Sequence, residues 1–138
     1  MKLIKTAIII SAVLLILSCA TGPIVIPDNL TPMELIQRGQ EASDRNRYAH
    51  ALQYYEALID RYPFDIDFIC AAEYEIAFIH YKQKNFSLSR SKFDALLSRY
   101  RAQGGQLLPP QFEILSNIVL ERIDEHEERA RLPFFRRR

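Results

Sequence analysis

Residues 46–63 read NRYAHALQYYEALIDRYP, and residues 84–101 read KNFSLSRSKFDALLSRYR. The second stretch repeats the apolar and small positions of the first after 38 residues. The aligned pairs are Tyr48 with Phe86, Ala51 with Ser89, Tyr55 with Phe93, Leu58 with Leu96 and Tyr62 with Tyr100. Within each stretch these positions recur every three or four residues, as on one face of an α-helix. An internal repeat of this length indicates pairs of helices that stack side by side.

The periodicity outside the repeat is also helical. It predicts an all-α fold with helices over about residues 32–44, 47–61, 67–84, 87–101 and 110–130. Thr31-Pro32-Met33-Glu34 combines an N-cap threonine, a proline at the first helical position and a glutamate at the third, which is a capping box. Pro63 ends the second helix, and AQGGQLLPP at residues 102–110 predicts a loop.

The first repeat resembles a tetratricopeptide repeat, a helix pair of about 34 residues with small residues where its two helices touch. The matching residues are Leu35, Gly39, Ala51, Tyr55, Leu58 and Pro63. The second unit departs from the pattern at Ser89 and at Arg101, where the terminal proline would stand. The resemblance implies a short solenoid of two helix pairs with a C-terminal capping helix. Another kind of helical bundle is the alternative.

The N-terminus is typical of an exported protein. Lys2 and Lys5 precede an apolar run from Ala7 to Leu17, whose eleven residues would rise only about 16 Å as a helix. Since the hydrocarbon core of a bilayer is about 30 Å thick, the run is short for a membrane span and fits a secretory signal. Ile16-Leu17-Ser18-Cys19 resembles the bacterial lipoprotein signal, although Leu17 is bulky for its place. The resemblance implies cleavage before Cys19 and lipid on its sulfur; an ordinary signal or anchor is the alternative.

The chain therefore divides into a signal peptide (1–18), a lipidated tether (19–31), a helical domain (32–131) and a basic tail (132–138). Removing residues 1–18 takes away Lys2 and Lys5 and changes the net charge from +1 to −1, which gives no electrostatic argument for nucleic-acid binding. With Cys19 lipidated, Cys70 has no partner for a disulfide, and we expect it to be a small buried apolar residue. The tail LPFFRRR suits a membrane interface or an acidic partner, or is disordered.

A longer stretch, from about residue 32 to 101, is similar to the BamD-type lipoproteins. The similarity rests on Tyr62-Pro63, on the long acidic-to-aromatic helix after them, and on a second repeat that ends in Arg99-Tyr100. Those proteins are tetratricopeptide lipoproteins of the outer-membrane β-barrel assembly machine. The resemblance implies a non-catalytic, lipid-anchored scaffold on the periplasmic side of the outer membrane that contacts a β-barrel assembly subunit. The family usually has about five repeats, and this chain has room for about half of that number.

Catalytic and metal-binding patterns are not evident. His50, His80 and His126 fall in separate predicted helices, and the acid-rich residues 121–128 lack metal-ligand spacing, as expected of a solvated helix face. We therefore predict no enzyme activity, no cofactor, no metal and no small-molecule substrate.

A protein partner is the expected ligand. In stacked repeats the first helix of each pair lines a concave surface. Projection onto that surface predicts partner contacts by Met33, Ile36, Gln40, Tyr74, Phe78, Tyr81 and Lys82, with Asp44 beside them. Aromatic residues grouped in this way can anchor a peptide or a helix. The alternative is that the chain's own fifth helix or its tether covers the aromatic stripe.

Three functions remain open from the sequence. The first is a scaffold in outer-membrane protein assembly. The second is a pilotin-like lipoprotein or an adaptor for cell-wall enzymes, and a surface-exposed lipoprotein is a third possibility. Ala20, rather than an aspartate, follows Cys19, which by resemblance to sorting in enteric bacteria favours the outer membrane.

Overall fold

Five α-helices account for most of residues 22–131, the part of the chain that the computed structural model describes. They are α1 (Pro32–Asp44), α2 (Tyr48–Arg61), α3 (Ile66–Lys82), α4 (Phe86–Arg101) and α5 (Pro110–Arg131), with a 3₁₀ turn at Gly105–Leu107. No strand occurs among these residues, so the all-α prediction is confirmed. The predicted signal peptide, Cys19 and the basic tail 132–138 lie outside the described residues.

The first helix begins with the predicted capping box. The Thr31 hydroxyl accepts a hydrogen bond from the Glu34 amide at 3.3 Å, and the Glu34 carboxylate accepts one from the Thr31 amide at 2.8 Å. Two amide groups that a helix N-terminus leaves without intrahelical partners are thereby bonded. The start of α1 is fixed by these local contacts.

The turns after α1 and α3 have the same backbone structure. Asn46 (φ 57°) and Lys84 (φ 60°) are both left-handed. The amides of residues 46 and 84 donate to the carbonyls of residues 43 and 81, and those of residues 47 and 85 donate to residues 42 and 80. This bonding is a Schellman motif, which ends a helix at a left-handed residue. The offset of 38 residues in the sequence therefore also relates the two turns.

Small residues lie where the paired helices approach. A Cβ atom on Gly39 of α1 would lie 2.5 Å from Cε1 of Tyr55 on α2. In the second pair, the buried Ser89 hydroxyl on α4 donates to the Ala77 carbonyl of α3 at 2.9 Å. The expectation that Gly39 and Ala51 are small because the helices meet there agrees with these contacts, since Ala51 is also fully buried.

The helices pack in pairs and then in a row. α1 packs on α2 and α3 on α4, while α3 also contacts α1 and α2, and α5 contacts α3 and α4. The connections between successive helices are three to eight residues long, and short connections usually join antiparallel neighbours. One core cluster joins α1, α2 and α3, and a second joins α3, α4 and α5 around Ala77, Phe93, Val119 and Ile123. The aromatic side of α3 belongs to the second cluster.

The segment before α1 is docked against α2. Arg61 donates to the carbonyls of Pro27 at 2.7 Å and Ile26 at 3.1 Å, and Tyr62 donates to the Leu30 carbonyl at 2.7 Å. Leu30 is only 4% exposed. The predicted tether 19–31 is therefore attached to the domain over its second half.

Cys70 is the free cysteine of the described residues, and its side chain is fully buried in α3. Burial raises the pKa of the Cys70 thiol, which keeps it in the protonated form. The prediction of a small buried apolar residue is confirmed. No helix among residues 22–131 is both long enough and apolar enough to cross a bilayer.

Candidate functional site

A groove of about 360 Å³ lies between α1 and α3. Its lining combines polar side chains from the C-terminal half of α1 with aromatic and charged side chains of α3. The lining residues are Gln40, Ser43, Asp44, Tyr74, Glu75, Phe78 and Lys82. The groove exists because α1 and α3 are the first helices of their pairs and lie side by side.

Stacked aromatic rings form one wall of the groove. The ring centroids of Tyr74 and Phe78 are 5.8 Å apart with planes 15° from parallel, and those of Phe78 and Tyr81 are 5.7 Å apart at 13°. Phe86 continues the row beyond Tyr81 at 5.8 Å. Spacings of four and three residues bring Tyr74, Phe78 and Tyr81 onto one side of α3, whereas Phe86 is the first residue of α4. Of these rings, Tyr74 and Phe78 line the groove.

Lys82 closes one end of the groove. Its ammonium group donates to the Ser43 hydroxyl at 2.9 Å and lies 5.2 Å from the centroid of the Phe78 ring. The first contact joins α3 to α1, and the second is a cation–π interaction. The Lys82 charge is therefore held at a fixed place beside an aromatic surface, where a ligand's acceptor group can reach it.

Glu75 gives the floor of the groove an acidic group in a partly dehydrated position. Burial raises the pKa of the Glu75 carboxyl above its ordinary value, and the nearby Asp44 raises it further. A hydrogen bond from Gln40 (3.4 Å) and the charge of Lys82 act in the opposite direction without cancelling the effect of burial. A ligand that donates a hydrogen bond or brings a positive charge would stabilise the ionised form.

The fifth helix covers part of the aromatic stripe. The Tyr74 ring lies 5.8 Å from that of Phe112 on α5 and 5.7 Å from that of Phe93 on α4. Tyr74, Phe78 and Tyr81 are consequently half-buried, with one side against the second core cluster. The tether does not cover the stripe, because its described part lies against α2. The groove side of Tyr74 and Phe78 is the part that remains open.

The residues predicted to contact a partner fall into four groups, of which the last is the buried Ile36. Gln40, Tyr74, Phe78 and Lys82, together with Asp44, meet in the groove. Tyr81 supports the groove wall by stacking on Phe78 but is not part of the lining. Met33, 61% exposed in the first turn of α1, lies outside the lining.

Ile36 requires a correction. Its side chain is 9% exposed and belongs to the core cluster of α1, α2 and α3. The physical reason is its position on α1: Leu35, Ile36 and Gly39 together form the face that packs on the neighbouring helices. Ile36 therefore lacks the exposed surface that a partner contact requires.

Sequence reasoning missed Ser43 and Glu75. Glu75, Phe78 and Lys82 are separated by three and four residues, so a projection centred on Phe78 would have placed all three on one helix face. Ser43 had no comparable signal, because its role depends on Lys82, which lies 39 residues further along the chain. Its burial at 3% exposure follows from that contact between helices.

No group of three or more histidine, cysteine, aspartate or glutamate residues suited to a metal ion occurs between residues 22 and 131. The polar groups of the groove are instead hydrogen-bond donors and acceptors beside aromatic surface. Such an arrangement suits recognition of a peptide or a helix from another protein.

No known family model matches the sequence, and no solved structure matches it. A curated protein of Treponema pallidum (strain Nichols), described as an uncharacterized protein, is 33% identical to this chain over 111 residues. The match covers 79% of this chain and 44% of the relative, so the chain spans less than half the length of that relative. The similarity relates this chain to a longer protein and assigns it neither a family nor a function.

Proposed function

We propose that this chain is a membrane-anchored scaffold that faces the periplasm and captures a protein partner in the groove between α1 and α3. The observation that carries the proposal is the groove itself, where an open aromatic wall lies beside the fixed charge of Lys82 and the carboxylate of Glu75. Aromatic anchors flanked by polar groups are the usual composition of a protein-binding site. The scaffold acts by binding and not by catalysis.

The fold that we propose for this scaffold is a short tetratricopeptide-like solenoid of two helix pairs with α5 as a capping helix. Three observations support it. The turns at Asn46 and Lys84 have the same backbone structure, and small residues lie where the helices of each pair meet. The third observation is that α3 contacts both α1 and α5. In such a solenoid the first helices line the concave surface. The groove then corresponds to the inner surface of the two repeats.

The proposed place of action is the periplasmic face of the outer membrane. The support is the resemblance of Ile16–Cys19 to a lipoprotein signal, with lipid on Cys19 as the anchor. The resemblance of residues 32–101 to BamD-type lipoproteins favours a role in β-barrel protein assembly, with a barrel-inserting subunit as the partner. The rival from the sequence, a pilotin or cell-wall adaptor, would use the same groove for a different partner.

Site-specific photo-crosslinking in the native host tests the proposal. A benzoylphenylalanine at Gln40, which is exposed in the groove, is expected to crosslink a partner that mass spectrometry then identifies. The matched control carries the same group at Ala95, an exposed position on α4. Capture of a large β-barrel protein with soluble periplasmic repeats supports assembly. Capture of a secretin or a peptidoglycan enzyme supports the rival.

Charge substitutions provide the second arm. Gln40→Arg with Asp44→Arg alters exposed groove residues without removing an aromatic ring from the core, and should abolish recovery of the partner. Ser91→Arg with Ala95→Arg adds the same residue type to the exposed surface of α4 and should leave recovery unchanged. Equal recovery by both variants, or equal crosslinking from residues 40 and 95, would overturn the groove as the binding site.

A further inference from the structure

A second cleft, of about 530 Å³, lies beside a different face of α1 from the groove. It is bounded by α1, the turn after it, the start of α2 and the segment at Ile24. Three arginines line it: Arg38, Arg45 and Arg47. None of the three has a carboxylate within ion-pair distance among residues 22–131. By contrast, Arg90 and Arg99, which bridge helices elsewhere in the described part of the chain, each have such a partner.

The two acidic residues of the cleft are bonded to neutral groups. Glu34 accepts hydrogen bonds from the Thr31 amide and hydroxyl, both at 2.8 Å; the pKa of Glu34 is lowered chiefly by the bond from that amide and to a smaller extent by the charge of Arg38, which lies beyond ion-pair distance. Glu41 accepts one from the Gln37 side chain at 3.2 Å. Three arginines and two glutamates leave the cleft with a net charge of +1. Guanidinium groups with free donors are suited to phosphate oxygens.

The cleft is also the place where the chain enters the domain from its N-terminus. Ile24 lines the cleft, and its amide donates to the Gln53 side chain at 3.0 Å. Cys19 is five residues before Ile24, which limits the distance between the two to roughly 18 Å in a fully extended chain. Val25, next to Ile24, exposes 93% of its apolar side chain. Membrane attachment through Cys19 would hold this end of the domain against the headgroups.

We propose that the cleft of Arg38, Arg45 and Arg47 binds the phosphate groups of anionic phospholipids. The inference rests on the membrane anchorage proposed above. With the anchor and the cleft both at the bilayer, the domain has two attachments instead of one, so its orientation is fixed. The groove with Lys82, beside another face of α1, is then presented at a constant angle to partners in the same membrane. Each unpaired arginine near an anionic surface strengthens attachment roughly fivefold.

The test uses the full chain recovered from membranes and reconstituted in nanodiscs. The discs contain phosphatidylcholine alone or mixed with phosphatidylglycerol, with a trace of lipid carrying a gadolinium headgroup. A spin label is placed at Ala49→Cys, an exposed position beside Arg47, or at Ala95→Cys on α4 as the reference. We expect phosphatidylglycerol to shorten the distance between the gadolinium and the residue 49 label by several ångströms. The distance between the gadolinium and the residue 95 label should stay unchanged or become longer.

The matched variants remove equal charge from the two surfaces. Arg38→Gln with Arg45→Gln and Arg47→Gln should abolish the effect of phosphatidylglycerol. The control, Lys92→Gln with Arg101→Gln and Arg122→Gln, removes three exposed charges from α4 and α5 and should retain it. Competition by inorganic phosphate at the nanodisc's lipid concentration would show that the cleft favours free phosphate and would overturn headgroup binding.

The outcomes separate this inference from the proposed function. Recovery of the chain in the soluble fraction would overturn the anchorage and this inference together. Anchored protein whose residue 49 label is equally distant in both kinds of disc would overturn the cleft alone and leave the groove proposal standing. Equal loss in the two triple variants would assign the effect to total charge and would also overturn the cleft.

Discussion

Gly39 on α1 and Tyr55 on α2 are packed so closely that a Cβ atom on Gly39 would lie 2.5 Å from Cε1 and 2.6 Å from Cζ of the Tyr55 ring. The ring is fully buried, so it has no open space into which it could turn. The absence of a side chain at residue 39 therefore sets the distance between the first two helices. The equivalent residue in the second pair is Ala77.

Replacing Gly39 by alanine should destabilise the domain. Alanine favours a helix interior over glycine by about 1 kcal/mol, but overpacking of a filled core costs about 1–3 kcal/mol. We expect a net loss of about 1 kcal/mol in the free energy of unfolding, measured by urea denaturation. Ser91→Ala, at an exposed site in α4, is the control and should change stability by less than about 0.5 kcal/mol. A Gly39→Ala variant as stable as the control would contradict the close contact.

The Tyr55 hydroxyl should be dispensable for stability. It is buried and has no hydrogen-bond partner among residues 22–131, and burial raises the pKa of Tyr55. The second repeat has Phe93 at the equivalent position, fully buried as well. Since an unpaired buried hydroxyl costs about 1–3 kcal/mol, Tyr55→Phe should leave the urea midpoint unchanged or raise it. A loss of about 1 kcal/mol or more would mean that the hydroxyl finds a partner in solution.

Replacing Lys84 by glycine should stabilise the domain. Its φ of 60° lies in the left-handed region, where a side chain is unfavourable and glycine is the usual residue that ends a Schellman motif. We expect Lys84→Gly to raise the free energy of unfolding by about 0.5–1 kcal/mol. Lys92→Gly, which removes the same side chain inside α4, should lower it by about 1 kcal/mol. Thermal unfolding of both variants measures the contrast, and a loss in both would contradict the left-handed turn.

The sequence predicted the helices because their signals are local. The capping box at Thr31, the proline at residue 63 and the apolar spacing of α2 each act within one or two turns of chain. The same holds for the small residues Gly39 and Ala51, whose role depends on a contact inside one helix pair. These predictions match the observed helix bounds to within about two residues.

The errors in the candidate site come from contacts between distant residues. Ile36 and Gln40 are four residues apart on α1, yet the first is buried and the second exposed, because the rotation of α1 is set by its packing on α2 and α3. The bond between Ser43 and Lys82 joins two repeats and leaves no pattern in either. The docked course of residues 24–30 was also missed, since its hydrogen bonds use backbone carbonyls, which every residue carries.

Arg61 should control whether the segment before α1 stays on the domain. Its guanidinium group bonds the carbonyls of Ile26 and Pro27 and lies 3.4 Å from the Asp28 carboxylate. Lysine keeps the charge but cannot hold two carbonyls in a fork. We expect Arg61→Lys to speed amide hydrogen exchange about tenfold at Ile24, whose amide donates to the Gln53 side chain, with α3 to α5 unchanged. Arg101→Lys, on an exposed part of α4, is the matched control and should leave exchange at Ile24 as in the unmodified chain.

Glu75 should make the stability of the domain depend on pH in a predictable direction. Burial raises the folded-state pKa of Glu75 above its ordinary value of 4.5, so ionisation is less favourable in the folded chain than in the unfolded one. Its stabilising contribution is therefore complete below about pH 4.5 and is lost as the pH rises through the raised folded-state pKa. Glu75→Gln has no such loss, because its amide stays neutral while its oxygen can still accept from Gln40.

Urea denaturation between about pH 4 and pH 8 should then show the Glu75→Gln variant gaining stability relative to the unmodified chain as the pH rises. Glu56→Gln, which removes an exposed carboxylate from α2, is the control. A difference for Glu75→Gln that stays flat or falls with pH would contradict a dehydrated carboxylate in the groove.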